Sequence, residues 1–442
     1  MPVEEKNDDG RSAASKPSIA VVSTFDELCG IAGYTRSLVK QLEPHFSVEV
    51  FDLEQFFMRS TNAGVRKKAD AIIEGFCRRL KTFDSVNIQL EHGTLGVKRG
   101  DIIKRFNMIA DAARALSVTF HTILPQRPFP WAAVSASVMK RSWGEAGKMT
   151  GRHFGHRALN AAIYGKLRTL QGKKKVSVIV HTPRDSRLMK HVNGFNAVFD
   201  HPLAFLSAGD VASMRRSASR ADFPSLRRLD SGVRLVGVFG FINTYKGIDT
   251  AMRALRNLPG DYHLAIFGGL HPNEIPVGRP INPYVGSLVG EILASGGGMP
   301  GASKPTGVLT ADDPKVSWVN PAVEPKFRDR VHFMGALGDD DFARAMAVCD
   351  FVVLPYLEVG QSASGPMSMA VEMGAKVFAS RTFAFLQFEK YFPGAVEFFD
   401  IGNYLELAER ILAASDGPSI VKVDKSFDTA TNADVYVRAS AP

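Results

Sequence analysis

Apolar runs of strand length alternate with helical patterns along this chain, and the alternation occurs twice. In the first half, the strand Ser18–Ser23 is followed by a glycine turn, a helix over 34–42 and a strand over 48–53. A second series of the same kind begins with a strand at 235–239. Short β-branched strands separated by helices predict parallel sheets that are buried on both faces. We therefore predict an α/β protein of two doubly wound, Rossmann-like domains that face each other across a cleft.

The rest of both series follows the same alternation and sets the expected domain bounds. The further predicted strands are 84–90, 117–120, 176–181, 262–267, 330–333, 351–354 and 376–379, and the further helices are 102–116, 247–258, 341–348, 366–373 and 404–413. We predict a disordered tail over 1–17, a first domain over 18–206, a connection over 207–232, a second domain over 233–400, and a C-terminal helix and tail over 401–442 that cross back to the first domain. The Gly/Pro-rich stretch 296–324 is predicted to be a surface loop.

Three cysteines, none in a CxxC pair, argue against a disulfide framework or a zinc site. The first 17 residues lack the apolar core of a signal peptide, and no apolar run approaches the roughly 18 residues that span a bilayer. These features predict a cytoplasmic protein whose membrane contact, if any, is peripheral at the inner face. The net charge of +9 favours anionic partners without identifying them.

Two glycines, Gly30 and Gly33, lie between the first strand and the first helix. Glycine lets backbone approach a ligand closely, and the N-terminus of the following helix offers N–H groups to an anion. The same spacing is also typical of a tight turn that binds nothing. Both interpretations stay open on the spacing alone.

Three of the 11 histidines lie at the ends of predicted strands: His92, His121 and His181. Ligands of open α/β sheets bind at the carboxyl ends of strands, so these side chains are expected at the cleft. Histidine there can bind a hydroxyl or a phosphate, or act as a base. The alternative is a loop histidine that only packs.

A polar loop that includes Asn243 and Lys246 follows the strand at 235–239. A lysine at a helix N-terminus opposes the helix dipole unless an anion lies between them. We therefore favour a phosphate ligand for Lys246 over a hydrated surface lysine.

A second loop, 358–366, follows the strand at 351–354 and is rich in small residues. Ser364 can cap the next helix and Pro366 suits its first position. Capping alone does not explain the whole run, which offers hydroxyls and N–H groups to a diphosphate. The residues assigned to this cradle are Gln361, Ser362, Ser364 and Gly365, with Glu358 as an acceptor from ribose hydroxyls.

Together these segments resemble the retaining GT-B glycosyltransferases of family 4, over roughly residues 18–415. The resemblance implies that the loop 30–33 faces the donor diphosphate and the acceptor, that His121 contacts the transferred sugar, and that Lys246 binds the donor phosphates. His92 and His181 then lie on the acceptor side. Catalytic roles fall to His121, Lys246 and Glu358, and donor binding to Gly30, Gly33, Asn243 and the cradle.

Two positions depart from the family pattern. Gly240 stands where the family often has an arginine, six residues before the lysine, and Met369 stands where it commonly has a second glutamate. The resemblance implies a GDP- or UDP-linked sugar as donor, transfer with retention at the anomeric carbon, and no metal or other cofactor. The expected acceptor is a glycan or a lipid-linked molecule.

The segment 126–175 carries eleven basic residues and one acidic residue, Glu145. Aromatic residues are interleaved with the charges, as in proteins that bind an anionic membrane surface. A solvated basic helix is the alternative. A nucleic-acid-binding protein ranks last because no nucleic-acid motif is present. A donor-binding subunit or sensor without transfer activity, and a sugar-nucleotide epimerase, remain as alternatives to the transferase.

Overall fold

The computed structural model describes residues 16–123, 129–270, 282–293, 327–414 and 425–441. The predicted loop 296–324, residues 1–15 of the predicted tail and residues 126–128 of the basic segment lie outside the described residues. Within them the chain forms two α/β halves. Each half contains one six-stranded sheet in which all paired strands are parallel.

The sheet of the first half has the strand order β2-β1-β3-β4-β5-β6. Its strands are β1 Ser18–Ser23, β2 Ser47–Asp52, β3 Ser85–Leu90, β4 Ala115–Phe120, β5 Val176–Val180 and β6 Ala197–Asp200. Its helices are α1 Gly30–Leu42, α2 Gln55–Met58, α3 Ala63–Leu80, α4 Arg99–Ala112, α5 Trp131–Met139, α6 Trp143–Gln171 and α7 Pro183–Arg187.

The second sheet has the strand order β12-β11-β10-β7-β8-β9. Its strands are β7 Arg234–Phe239, β8 Tyr262–Phe267, β9 Val331–Gly335, β10 Phe351–Leu354, β11 Val377–Ser380 and β12 Val396–Phe399. The helices are α8 Ala208–Ser217, α9 Ile248–Leu255, α10 Pro283–Leu293, α11 Asp339–Val348, α12 Gly365–Glu372, α13 Phe383–Phe388, α14 Tyr404–Ala413 and α15 Thr429–Ser440. The prediction of two doubly wound parallel sheets is confirmed.

Several element bounds differ from the predicted ones for local reasons. The helix predicted over 102–116 ends at Ala112, because Leu116 donates its N–H to Lys175 at the start of the β4–β5 pairing. The connection predicted over 207–232 contains α8, which Ser207 and Asp210 cap reciprocally. The sequence pattern predicts no helix within 126–175, whereas the structure has α5 and α6 there. Only the C-terminal half of α6 has a regular buried face, formed by Leu159, Ile163, Tyr164, Leu167 and Leu170.

The chain passes between the halves through residues 202–206, which are held by side chains of both. Ser37 on α1 donates to the carbonyl of Phe205 at 2.6 Å, and Glu372 on α12 accepts the Phe205 N–H at 2.8 Å. The Phe205 ring packs against Tyr34. One apolar cluster contains core residues of both halves, so the two sheets share a continuous interface.

The last helix, α15, lies on the first half although it follows the second half in sequence. Val435, Tyr436 and Ala439 join the shared apolar cluster, and His201 bonds to Thr431 at 3.0 Å. Asn432 bonds to Gln41 of α1 at 2.7 Å. Among the described residues, no helix combines the length and apolar character needed to cross a bilayer.

Burial raises the pKa of Glu372 to about 8, so this carboxyl is protonated at neutral pH in the folded protein. The folded state then binds more protons than the unfolded state between about pH 5 and pH 8, and stability falls as the pH rises through this window. We expect Glu372→Gln to gain stability relative to the parent as the pH rises. Urea unfolding at several pH values measures this difference.

Glu389→Gln is the control, because Glu389 also accepts a backbone N–H, that of Gly394. A difference between Glu372→Gln and the parent that stays constant with pH would show that Glu372 ionises normally in the folded protein.

Candidate active site

A cavity of about 400 Å³ lies between the two halves, near the carboxyl ends of both sheets. This volume falls within the range of small-molecule sites in proteins. Six of the residues predicted from the sequence lie on its wall: Gly30, Gly33, His121, Lys246, Gln361 and Gly365.

Gly30 and Gly33 belong to the first turn of α1, so the prediction of a loop at this position is wrong. The helix begins early because Cys29 caps it, with its sulfur accepting the Ala32 N–H at 3.4 Å. Gly33 faces α11 of the other half, and a Cβ on it would lie 3.0 Å from the Asp339 carboxylate. The absent side chain therefore allows the two halves to approach closely.

His121 follows β4 and is buried beneath the cavity. Its Nε2 lies 2.8 Å from Oε1 of Gln89, and its ring packs edge-on against Tyr34. Burial, reinforced by His181, lowers the pKa of His121 well below its ordinary value. The imidazole is therefore neutral at physiological pH, with one nitrogen protonated and the other able to accept a hydrogen bond.

Lys246 ends a short 3₁₀ turn, Thr244–Lys246, and α9 begins two residues later. The side chain is 5% exposed, and its Nζ donates to the Tyr356 hydroxyl and lies 3.9 Å from the centre of that ring. Burial lowers the pKa of Lys246 to about 7. These aromatic contacts hold the ammonium in place without supplying a negative charge.

The two glycines beside Lys246 explain how the lysine reaches the cavity. Gly240 has φ +113°, and a Cβ there would lie 2.9 Å from the Lys246 Nζ. Gly247 has φ +61°, and a Cβ there would lie 1.9 Å from the Pro355 carbonyl oxygen. A side chain at position 240, such as the arginine of the family pattern, would therefore enter the space that the Lys246 side chain occupies.

Of the four residues predicted to form the cradle in the loop before α12, two line the cavity and two bond to other parts of the protein. Gln361 and Gly365 line the cavity, at the N-terminus of an eight-residue helix. Ser364 caps that helix by accepting the Met367 N–H at 3.5 Å. Ser362 instead contacts the first half, where its hydroxyl accepts the Ile123 N–H at 3.2 Å.

Four other predicted residues lie off the cavity wall. Asn243 caps the turn that carries Lys246, and the Glu358 carboxylate accepts the N–H groups of Gly360 and Phe383. His181 is buried behind His121 and bonds to the His201 carbonyl at 3.0 Å. His92 is buried, with no hydrogen-bond partner for either ring nitrogen within the described structure.

The cavity wall also contains charged residues that the sequence analysis did not select. Glu91 lines the cavity in place of its neighbour His92, and burial raises the pKa of Glu91. Glu27 and Arg59 lie on the same side, and Asp339 lies on the opposite half. A charged residue directly after a buried strand was the available signal for Glu91. Tertiary packing brings Glu27, Arg59 and Asp339 to the cavity, and the local sequence pattern gives no signal for it.

An ion pair joins the two halves at the cavity. Arg36 of α1 donates to Asp339 of α11 at 2.8 Å, and it also donates to the Phe25 carbonyl. Asp339 is the first residue of α11, where the helix dipole favours an anion. In the part of the chain that the structure covers, no group of three or more His, Cys, Asp or Glu side chains could hold a metal ion.

No protein-family model matches this sequence, and no curated protein sequence does either. The fold, in contrast, is similar to that of several solved structures. An α,α-trehalose-phosphate synthase (UDP-forming) from Burkholderia xenovorans, in complex with glucose-6-phosphate, aligns with a TM-score of 0.59 at 10% identity, covering 96% of this chain and 100% of that one.

Two further structures align over similar lengths. An α,α-trehalose 6-phosphate synthase from Burkholderia multivorans has a TM-score of 0.56 at 8% identity, covering 96% of this chain and 93% of that chain. A sucrose-phosphate synthase from Thermosynechococcus elongatus has a TM-score of 0.53 at 15% identity, covering 96% of this chain and 94% of that chain. These likenesses and the two facing Rossmann-like halves identify the fold of this chain as GT-B.

Proposed function

We propose that this protein is a retaining, family 4-like glycosyltransferase that takes a sugar from a nucleotide diphosphate-sugar. The acceptor is a glycan or a lipid-linked molecule. The interdomain cavity binds the donor, with its diphosphate at Lys246 and the N-termini of α1 and α12 and its sugar beside His121. The UDP-forming synthase among the similar structures makes UDP the first nucleotide to test.

The observation that carries this proposal is the buried Lys246 on the cavity wall. Burial lowers the pKa of this lysine to near 7 because the charged form costs free energy in the protein interior. A bound anion would offset that cost by stabilising the ammonium. Gly30 and Gly365 bring two helix N-termini to the cavity from opposite halves, and such termini favour phosphate groups. A diphosphate matches all three features.

The proposed chemistry needs no protein nucleophile. The bond from the anomeric carbon to the phosphate oxygen breaks, and the acceptor oxygen bonds on the same face of the sugar. The acceptor proton passes to the departing phosphate. Lys246 stabilises the charge that grows on the diphosphate, and neutral His121 binds a sugar hydroxyl. This route requires no metal.

Donor binding should be coupled to proton uptake at Lys246. At about pH 8 the free lysine is mostly neutral, and a bound diphosphate raises its pKa, so UDP-glucose should take up close to one proton from solution. At about pH 6 the lysine is already charged and the uptake should vanish. Calorimetry in buffers of different ionisation enthalpy measures the protons taken up.

Lys246→Met should abolish this uptake and weaken binding, whereas Lys40→Met, on the exposed surface of α1, should change neither. UDP-glucose suits the test because its diphosphate does not titrate in this range. If UDP-, GDP-, ADP- and TDP-sugars all bind equally to the parent and to Lys246→Met, the phosphate role is wrong.

A donor-binding subunit without transfer activity is the second candidate. Met369 lines the cavity at the position where the family commonly has its second glutamate, so one donor contact is replaced by an apolar side chain. Donor binding without sugar release or transfer, in the presence of glycan and lipid-linked acceptors, would favour this candidate. Release of UDP with transfer would favour the enzyme, and conversion of the donor without an acceptor would favour an epimerase.

The acceptor side has a surface suited to an anionic membrane, which we call the α5–α6 patch. It contains four exposed large apolar side chains, and none of the nine residues of α5 is buried. Exposed basic residues lie among them. The apolar members are Trp131, Met139, Trp143 and Phe154, and the basic members are Lys140, Arg141, Lys148 and Arg157.

At the other end of the basic segment, three lysines bond to other parts of the protein. Lys166 pairs with Asp111 at 2.6 Å, Lys174 donates to the carbonyl of Ala110 at 2.6 Å, and Lys175 donates to the carbonyl of Ala441. The exposed aromatic residues thus lie with the exposed cations at the N-terminal end of the segment, whereas these three lysines at the other end have partners within the protein. Aromatic rings and cations together favour an anionic lipid surface.

Replacing both Lys140 and Arg141 by alanine should lower the partitioning onto vesicles containing phosphatidylglycerol by about 30-fold, since each cation contributes about 1 kcal/mol. Lys173→Ala is the control, because Lys173 is equally exposed but lies at the opposite end of α6, roughly 40 Å away along the helix. Sedimentation with phosphatidylcholine alone and with added phosphatidylglycerol measures the effect. Negligible parent binding to both vesicles would contradict the membrane proposal.

A further inference from the structure

The central strand β3 carries polar side chains into the core of the first half. Asn87 and Gln89 are fully buried and, two residues apart, point to the same face of the sheet. The neighbouring strand β4 places Ser117 and Thr119 directly opposite them. Four buried polar residues therefore form one patch in the middle of a parallel sheet, where apolar residues are the rule.

Helix α15 covers this patch and satisfies it. The Tyr436 hydroxyl lies 3.0 Å from the Thr119 hydroxyl and accepts from Nε2 of Gln89 at 3.2 Å. Ser440 reaches the Ser117 hydroxyl at 3.4 Å. The same Tyr436 hydroxyl lies 3.2 Å from that of Tyr34, which packs against the His121 ring.

The network ends at the cavity. Gln89 donates from Nε2 to Oδ1 of Asn87 at 2.6 Å, so its Oε1 is free to accept from His121 Nε2 at 2.8 Å. The proton of the neutral imidazole then resides on Nε2, and Nδ1 keeps the lone pair.

We propose that Gln89 is a positioning residue that fixes the tautomer and orientation of His121, and that Tyr436 of α15 holds Gln89 in place. Within the proposed function, this makes Nδ1 of His121 a hydrogen-bond acceptor for a hydroxyl of the transferred sugar. If this face of β3 and β4 were fully apolar, it would pack against α15 without the burial of any polar side chain. In this proposal the polar network is present because it orients the His121 side chain at the cavity.

The direct test is the tautomer of His121, observed by ¹⁵N NMR of histidine-labelled protein with the His121 signals assigned from His121→Asn. The parent should show a single tautomer protonated at Nε2. Gln89→Leu should give a mixture of tautomers, and Tyr436→Phe should give a smaller change in the same direction. Tyr164→Phe should leave the spectrum unchanged, since the buried Tyr164 hydroxyl has no partner in the described structure.

Gln89→Glu supplies a second variant that preserves shape. A carboxylate beside the ring raises the pKa of His121, so the variant should become protonated at both nitrogens as the pH falls, while the parent stays neutral. With UDP-glucose as donor, Gln89→Leu should lower kcat by about tenfold or more with little change in KM. Gln89→Glu should lose activity on the acid side of its pH profile.

The spectra do not depend on turnover, so they separate this proposal from the proposed function. A parent protein that shows the Nε2–H tautomer and its loss in Gln89→Leu, yet does not turn over any nucleotide-sugar, would uphold the positioning role and overturn the transferase. A parent protonated at Nδ1, a tautomer unchanged in Gln89→Leu, or a His121 that stays neutral in Gln89→Glu as the pH falls would overturn the positioning role.

Discussion

The contact between helix α15 and the sheet of the first half connects the end of the chain to the core that the two halves share. Tyr436 from this helix enters the apolar cluster shared by both halves, and its hydroxyl completes the hydrogen bonds of a polar patch on β3 and β4. Buried amides and hydroxyls without partners would each cost free energy, so the helix must occupy this position for the sheet to be stable. Because α15 follows the second half in sequence, its docking also holds the two halves together beside the cavity.

The wall of the cavity contains charged residues from both halves. Burial lowers the pKa of Lys246 to about 7, and the N-termini of α1 and α12 reach the cavity from opposite halves. Glu27 and Glu91 also line the cavity, as does Arg59, and the two carboxyl groups can bind hydroxyl groups. The cavity thus offers groups that favour an anion and groups that favour hydroxyls, and a nucleotide-sugar presents both.

Much of the fold follows from local sequence pattern, and part of the site does not. Runs such as Ser18–Ser23 predict buried parallel strands, and residues directly after such strands, His121 among them, reach the cavity. The alternation of Val86, Asn87, Ile88 and Gln89 is typical of a strand with one solvated face, but α15 covers that face. That contact joins residues more than 300 positions apart and has no local signal. His92 is a second example. The sequence pattern does not specify the course of the loop after β3, and that course places Glu91 at the cavity in place of His92.

In the function proposed here, the cavity binds a nucleotide-sugar with its phosphates at Lys246 and its sugar at His121. A crystal structure of the protein with UDP-glucose is the decisive experiment. We expect the diphosphate within hydrogen-bond distance of the Lys246 ammonium and the N-terminal amides of α12, and the glucose ring in contact with His121. A donor bound outside the cavity, or bound with its phosphates remote from Lys246, would contradict it.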